Sequence, residues 1–127
     1  MTDLPRRLLH LEGLAVAAGA LVLYFDAGYG WLLLVLLALA PDLSMLGYLA
    51  GPRIGAAAYN AGHSYISAAI VALASFTLHA HTLDLVAAIW VAHIGFDRLL
   101  GYGLKYGTAF GDTHLTRLRA PISSRDR

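Results

Sequence analysis

Long apolar stretches divide the chain into four segments, each about long enough to cross a lipid bilayer. A spanning helix needs about 20 mostly apolar residues. The runs are too long for strands, and they lack the alternation of apolar and polar positions that strands would show. The pattern therefore predicts an all-α protein. The four predicted spans run from about Leu8 to Phe25, Trp31 to Ala50, Ala56 to Leu78 and Leu83 to Tyr102.

Short connections separate these spans at residues 26–30, 51–55 and 79–82, and the first two are rich in glycine. Connections this short force sequential helices to run antiparallel. The prediction is an antiparallel four-helix transmembrane bundle. It forms a single four-span membrane domain over residues 1–116, followed by a basic cytoplasmic tail over residues 117–127.

The distribution of lysine and arginine predicts the orientation of the bundle. One side carries eight of the nine basic residues, the opposite side carries none, and the ninth, Arg98, lies inside the last span. Because basic residues accumulate on the cytoplasmic side, both termini are predicted to be cytoplasmic. The eight residues are Arg6, Arg7, Arg53, Lys105, Arg117, Arg119, Arg125 and Arg127.

The composition agrees with a bilayer as the environment. Hydrophobic residues make up 58% of the 127 residues and charged residues 13%, whereas soluble domains carry about 25% charged residues. These values exclude a disordered chain, a nucleic-acid-binding module and an ordinary cytosolic enzyme. The chain has no cysteine, which excludes disulfides, thiolate metal ligands and thiol nucleophiles.

Ionisable residues lie at similar depths in all four predicted spans. Such groups are costly in a membrane, at about 2.5–3.5 kcal/mol each on insertion scales. With a rise of about 1.5 Å per residue, one group from each span falls in the same layer of the cytoplasmic half, and His93 lies one turn deeper. This coincidence predicts a constructed polar site. The four groups in the layer are Glu12, Asp42, His63 and Asp97.

Helical spacing favours convergence of these groups. His93 and Asp97 are four residues apart and share a helix face. Pro41, directly before Asp42, removes a backbone donor and predicts a disturbed helix near Leu37. The third predicted span carries a polar stripe that should face the protein interior, because lipid cannot satisfy its hydrogen bonds. The stripe consists of Asn60, His63, Ser64 and Ser67.

Two imidazoles with two or three carboxylates are a normal ligand set for Zn²⁺ or another divalent metal. We interpret His63, His93 and Asp97 as the metal ligands. Asp42 is either a further ligand or the base that activates a metal-bound water, and Glu12 is an outer ligand or proton shuttle. The corresponding function is a metal-dependent, hydrolase-like enzyme. Its substrate would be amphipathic, such as a lipid, because only such a molecule brings a polar end to this depth.

Other interpretations of the same residues remain open. A row of acidic residues and histidines can relay protons, so one alternative function is a proton or ion pathway. Another is a non-enzymatic accessory subunit of a larger membrane complex. Two histidines can also ligate haem in a helical bundle, although the carboxylates favour a metal or proton site. Arg98 is interpreted as snorkelling or as the counter-charge of a carboxylate. Small residues on the helix faces predict a homo-oligomer or larger complex.

Several short motifs resemble one known family. Together they resemble a bacterial family of small membrane proteins, domain of unknown function 4260, over about residues 7–116. The resemblance implies a small four-helix protein of the bacterial inner membrane and assigns no catalytic role to any residue. In its scatter of His and Asp near helix ends, the chain also looks like membrane-bound metal-dependent hydrolases. The motifs are GPRIG at 51–55, YNAGHS at 59–64, HIGFDR at 93–98, GYGLKY at 101–106 and THL at 113–115.

Overall fold

The computed structural model describes residues 3–118, and these residues form helices and connecting loops without a strand. The predicted all-α class is therefore confirmed. The predicted tail over 117–127 lies, beyond Leu118, outside the described residues. The elements are α1 (Leu4–Asp26), α2 (Trp31–Ala38), a 3₁₀ helix (Ala40–Ala50), α3 (Pro52–Gly62), α4 (Tyr65–Leu78), α5 (His81–Leu100) and the single-turn α6 (His114–Arg117).

Helix α5 is the centre of the fold. It packs against α1, α4 and α2, while the 3₁₀ helix packs against α3. Tyr24, Leu85 and Ile89 form an apolar cluster between α1 and α5. Because α5 contacts α1, α2 and α4, its position determines where the polar residues near its C-terminal end meet their partners.

Two helical segments are long and apolar enough to cross a membrane, namely Leu4–Asp26 and Trp31–Ala50. The bent pair formed by α3 and α4 is a third if it is counted as one span. Helix α5 has sufficient length, but it carries three charged residues, Asp84, Asp97 and Arg98. Length and composition therefore support two or three spans among the described residues, and membrane crossing by α5 requires a separate argument.

The second predicted span is not a uniform α-helix. The α-helical geometry ends at Ala38, and the segment continues as a 3₁₀ helix from Ala40. Pro41 lacks a backbone N–H and cannot continue the α-helical ladder. The Asp42 N–H donates to the carbonyl of Leu39 at 3.0 Å, a 3₁₀ bond that leaves the Ala38 carbonyl available to another donor. The disturbance predicted from Pro41 is present as a change of helix type.

The prediction of one continuous helix from Ala56 to Leu78 is wrong. Helix α3 ends at Gly62, α4 begins at Tyr65, and the two axes differ by 43°. Ser64 caps α4, since its Oγ accepts a hydrogen bond from the N–H of Ile66 at 3.2 Å. A serine that caps a helix satisfies a free N–H and so favours a new start over continuation.

Three side chains satisfy the backbone carbonyls that this break leaves free. An unpaired carbonyl is costly in an apolar environment, so these donors stabilise the break. Ser64 and Ser67 of the predicted stripe therefore support an interrupted helix instead of one continuous face. The three bonds run from Ser67 Oγ to the Ala61 carbonyl at 2.5 Å, from Trp90 Nε1 to the Gly62 carbonyl at 2.5 Å and from Arg98 Nη2 to the His63 carbonyl at 3.0 Å.

Glycines allow α1 and α5 to approach closely. A Cβ atom on Gly95 would lie 2.7 Å from the backbone nitrogen of Ala17 and 2.8 Å from the carbonyl oxygen of Gly13. A Cβ atom on Gly13 would in turn lie 2.6 Å from the carbonyl oxygen of Gly95. The two backbones are thus in contact without intervening side chains, and this contact fixes α5 two residues from Asp97.

Candidate metal centre

Four side chains with metal-ligand chemistry converge inside the protein. Asp42 comes from the 3₁₀ helix, His63 follows the end of α3, and His93 and Asp97 lie on α5. One ligand atom from each lies within 4.8 Å of all the others. The side chain of His63 is fully buried, whereas that of Asp42 is 35% exposed. The structure therefore brings together four of the five residues singled out in the sequence.

The distances within this group fit a single ion. The Nε2 atom of His63 lies 3.1 Å from Asp42 Oδ1 and 3.5 Å from Asp97 Oδ2. The Nε2 atom of His93 lies 3.3 Å and 3.2 Å from the same two oxygens. The two Nε2 atoms are 3.3 Å apart. Tetrahedral Zn²⁺ with bonds of about 2.0–2.2 Å separates its ligand atoms by about 3.3–3.6 Å, so five of the six separations are close to such a tetrahedron.

Backbone carbonyls determine which nitrogen of each imidazole carries the proton. Nδ1 of His63 lies 2.9 Å from the carbonyl of Tyr59, and Nδ1 of His93 makes a short contact with the carbonyl of Ala38. A carbonyl can only accept, so Nδ1–H is the donor in both cases. The Nε2 lone pairs then face the centre of the group. Metal-bound histidines commonly have this arrangement, with the second nitrogen held by a carbonyl or carboxylate.

A cation at the centre would stabilise this arrangement. When both imidazoles are neutral, the two Nε2 atoms and the oxygens of Asp42 and Asp97 are all acceptors, and no donor lies between them. Acceptors at 3.1–3.5 Å without a shared cation repel one another. A metal ion, or protons bound to the imidazoles or carboxylates, would relieve this repulsion.

The change to 3₁₀ geometry after α2 and the break after α3 position the residues of the centre. The change to 3₁₀ geometry releases the Ala38 carbonyl that holds His93. The end of α3 places His63 at the break, where the Tyr59 ring stacks on it with centroids 3.8 Å apart and planes 6° apart. Arg98 then fixes the His63 carbonyl. The positions of both imidazoles thus follow from the local breaks in the helices.

Glu12 and Arg98 are not part of the four-residue group. Glu12 lies on an exposed face of α1 and is not a member of the group, so its role as an outer ligand or shuttle stays a prediction. The snorkelling interpretation of Arg98 is wrong, because the residue is 6% exposed. Its guanidinium donates to the carbonyls of His63 at 3.0 Å and Tyr102 at 2.8 Å.

The segment that follows α5 also contributes to the site, which the sequence pattern did not indicate. Asn60 holds the backbone of Lys105 with two hydrogen bonds, at 2.8 Å to its carbonyl and 2.6 Å from its N–H. Lys105 is 7% exposed, and its Nζ lies 3.7 Å from the ring centroid of Phe110 and 4.9 Å from that of Tyr59. Burial lowers the pKa of the Lys105 amine, while the negative charge of Asp97 acts in the opposite direction.

A cavity of about 290 Å³ adjoins the candidate centre. Both carboxylates of the centre reach its wall, so the cavity gives a molecule from outside access to the metal position. The remaining wall is aromatic and apolar except for one cation. The lining residues are Asp42, Met45, Tyr59, Asp97, Tyr102, Lys105 and Phe110.

The fold and site define a helical protein with apolar helices of membrane-spanning length and a buried group suited to a divalent metal. The sequence matches the family described as Domain of unknown function (DUF4260) over residues 6–118, so the chain belongs to that family and the resemblance found in the sequence is confirmed. No curated protein and no solved structure matches the chain.

Proposed function

We propose that the protein holds a divalent metal ion, such as Zn²⁺, between Asp42, His63, His93 and Asp97. One observation carries the proposal. Both imidazoles donate Nδ1–H to backbone carbonyls, and both direct Nε2 to two carboxylates at 3.1–3.5 Å. The 3.3 Å separation of the Nε2 atoms favours an ion over haem, whose axial ligands lie on opposite sides of the ring, about 4 Å apart.

The accompanying activity is hydrolysis of an amphipathic or lipid substrate. His63, His93 and Asp97 would hold the ion, and the ion would supply Lewis-acid activation of a water molecule for hydrolysis. Asp42 is the most exposed of the four side chains and borders the cavity. It is therefore suited either to accept the proton of this water or to act as a fourth ligand that a substrate displaces.

A proton site is the second candidate, and the same distances support it. Imidazolium groups at 3.1–3.5 Å from carboxylates would form ion pairs without a metal. Exposure rises from the fully buried His63 to the half-buried Asp42, which suits proton exchange with the cavity. The two candidates differ in a single measurable property, the content of bound metal.

The metal proposal predicts about one zinc ion per chain in protein purified in detergent without chelator and equilibrated with micromolar zinc. His93→Ala should retain the helical fold and weaken zinc binding by about tenfold or more, because it removes one of four ligands. Elemental analysis with a competing chelator measures both quantities. His81→Ala is the matched control, because His81 lies on the same helix with a side chain that is 89% exposed. Wild-type protein without metal under these conditions contradicts the metal site and leaves the proton site.

We further propose that the protein crosses the bacterial inner membrane four times, with α5 as the last span and both termini cytoplasmic. The basic residues on one side support this orientation, and partners for the charges of α5 support its insertion, since Arg98 is hydrogen-bonded to carbonyls. Alkaline phosphatase fused after Gly28 should be active, as it is only outside the cytoplasm, whereas the same reporter after Leu118 should be inactive. Equal activity of the two fusions contradicts the topology.

A further inference from the structure

Lys105 is the only lysine of the chain, and it lies in the wall of the cavity beside the candidate metal centre. Although it is 7% exposed, no carboxylate of residues 3–118 lies within 4.0 Å of its amine. Buried charges are normally paired. The aromatic rings of Tyr59 and Phe110 stabilise the ammonium, but neither ring supplies a negative charge.

The balance of charge in the cavity favours an anion. A divalent metal and the carboxylates of Asp42 and Asp97 neutralise one another, so the ammonium of Lys105 leaves the cavity with one net positive charge. Arg117, the cation of the neighbouring helix α6, is already paired with Asp112 at 2.7 Å. Among residues 3–118, Lys105 is therefore the cation of this cavity that has no carboxylate within 4.0 Å, and it lines the same space as the candidate centre.

The position of Lys105 is fixed by the helix that also leads to His63. Asn60 of α3 binds the carbonyl and the N–H of Lys105 with its side-chain amide. Three residues later, His63 enters the candidate centre. The backbone of Lys105 and the candidate ligand His63 are therefore held by the same helix, which keeps the amine within reach of the centre.

The apolar part of the cavity indicates that the anion belongs to a larger, amphipathic molecule. Met45 of the 3₁₀ helix lines the cavity. The neighbouring side chains Leu46 and Leu49 on that helix are 64% and 89% exposed. A ligand with its charged end at Lys105 thus has an apolar surface along which an alkyl chain can leave the site toward the membrane.

We propose that this cavity binds the phosphate group of an amphiphile, with the Lys105 ammonium paired to one phosphate oxygen and another oxygen directed to the metal position. Phosphate carries the required negative charge, and its several oxygens allow it to contact an amine and a metal at the same time. This proposal rests on the metal centre proposed above and adds the class of its ligand.

The test uses zinc-loaded full-length protein in a maltoside detergent and four small probes. Octyl phosphate should bind, inorganic phosphate should bind more weakly, and octanoate and octanol should bind weakest, as measured by calorimetry. Reductive methylation with ¹³C-formaldehyde labels Lys105 and the terminal amine. Octyl phosphate should shift the Lys105 resonance, because a bound anion raises the pKa of the amine that burial lowers.

Variants identify the contribution of Lys105. Lys105→Met should weaken octyl phosphate binding by about 10- to 100-fold, as expected for loss of a hydrogen bond between charged groups, and should leave zinc content unchanged. Lys105→Arg, which restores the charge, should recover most of the affinity. Arg7→Met is the matched control, since it removes one exposed cation from α1 and should bind octyl phosphate like the wild type.

The outcomes separate this proposal from the metal site. Absence of zinc from the wild type refutes the metal centre. If zinc is present but octyl phosphate binds no better than octanol or octanoate, or leaves the Lys105 resonance unmoved, the phosphate site is refuted alone. Inorganic phosphate that binds as tightly as octyl phosphate overturns the assignment to an amphiphile. The resonance shift is measured on wild-type protein and does not depend on the folding of any variant.

Discussion

Arg98→Met should lower the free energy of unfolding by about 2–4 kcal/mol and weaken zinc binding by about 10- to 100-fold. The substitution removes the donor to the carbonyls of His63 and Tyr102, and each unpaired buried acceptor costs about 1–3 kcal/mol. Relief from burying a cation offsets part of that cost. The loss of zinc affinity follows because residues that orient metal ligands contribute about this much. Unfolding in detergent and chelator competition measure the two effects.

Two further variants test this explanation. Arg98→Lys has one amine in place of a guanidinium and cannot span both carbonyls with the same fork, so its effects should be intermediate. Arg7→Met removes the same charge from an exposed position on α1 and should change neither quantity measurably. If Arg98→Met keeps wild-type stability and zinc affinity, the break after α3 does not need the hydrogen bond that Arg98 donates to the His63 carbonyl.

Gly95→Ala should destabilise the fold by about 1–3 kcal/mol, the usual cost of overpacking. The added methyl would meet backbone atoms of Ala17 and Gly13 at 2.7 and 2.8 Å. Backbone cannot move aside as a flexible side chain does, so α1 and α5 must separate. Because Gly95 lies two residues from both His93 and Asp97, zinc affinity should fall as well. Thermal unfolding and zinc titration in the same detergent check both effects.

Gly19→Ala provides the matched control for this contact. Gly19 also lies within a helix, α1, but a Cβ atom there would have no atom within 4 Å. Alanine is favoured over glycine inside a helix by about 0.5–1 kcal/mol, so this variant should keep or gain stability. If the two substitutions destabilise the protein equally, the cause is the replacement of a helical glycine by alanine and not the close crossing of α1 and α5.

The helical segments and the group of Asp42, His63, His93 and Asp97 could be predicted from the sequence because they depend on short-range patterns. Apolar length located the helices, and the four-residue spacing of His93 and Asp97 placed both on one face. Depth along the chain then brought Asp42 and His63 to the same level. Glu12 met the depth criterion equally well but lies on an exposed face of α1, because depth carries no information about rotation around the helix axis.

The interruption of the third predicted span was not accessible in the same way. An apolar run of this length predicts one helix, and Ser64 alone is a weak signal for a break. The break is stable because Trp90 and Arg98 supply donors to Gly62 and His63 from 28 and 35 residues away. The contribution of Lys105 was missed for the same reason, since Asn60 binds it from 45 residues away.

The bonds from α5 to the break imply an order of assembly during synthesis. The carbonyls of Gly62 and His63 precede their donors Trp90 and Arg98 by 28 and 35 residues, so they are synthesised first. Until α5 arrives, α3 and α4 either remain one unbroken helix or leave these carbonyls unpaired. Docking of α5 supplies the donors that stabilise the break, and the same contact brings His93 and Asp97 to Asp42 and His63. The shape of this part of the chain and the convergence of the four side chains therefore depend on one event, the docking of α5.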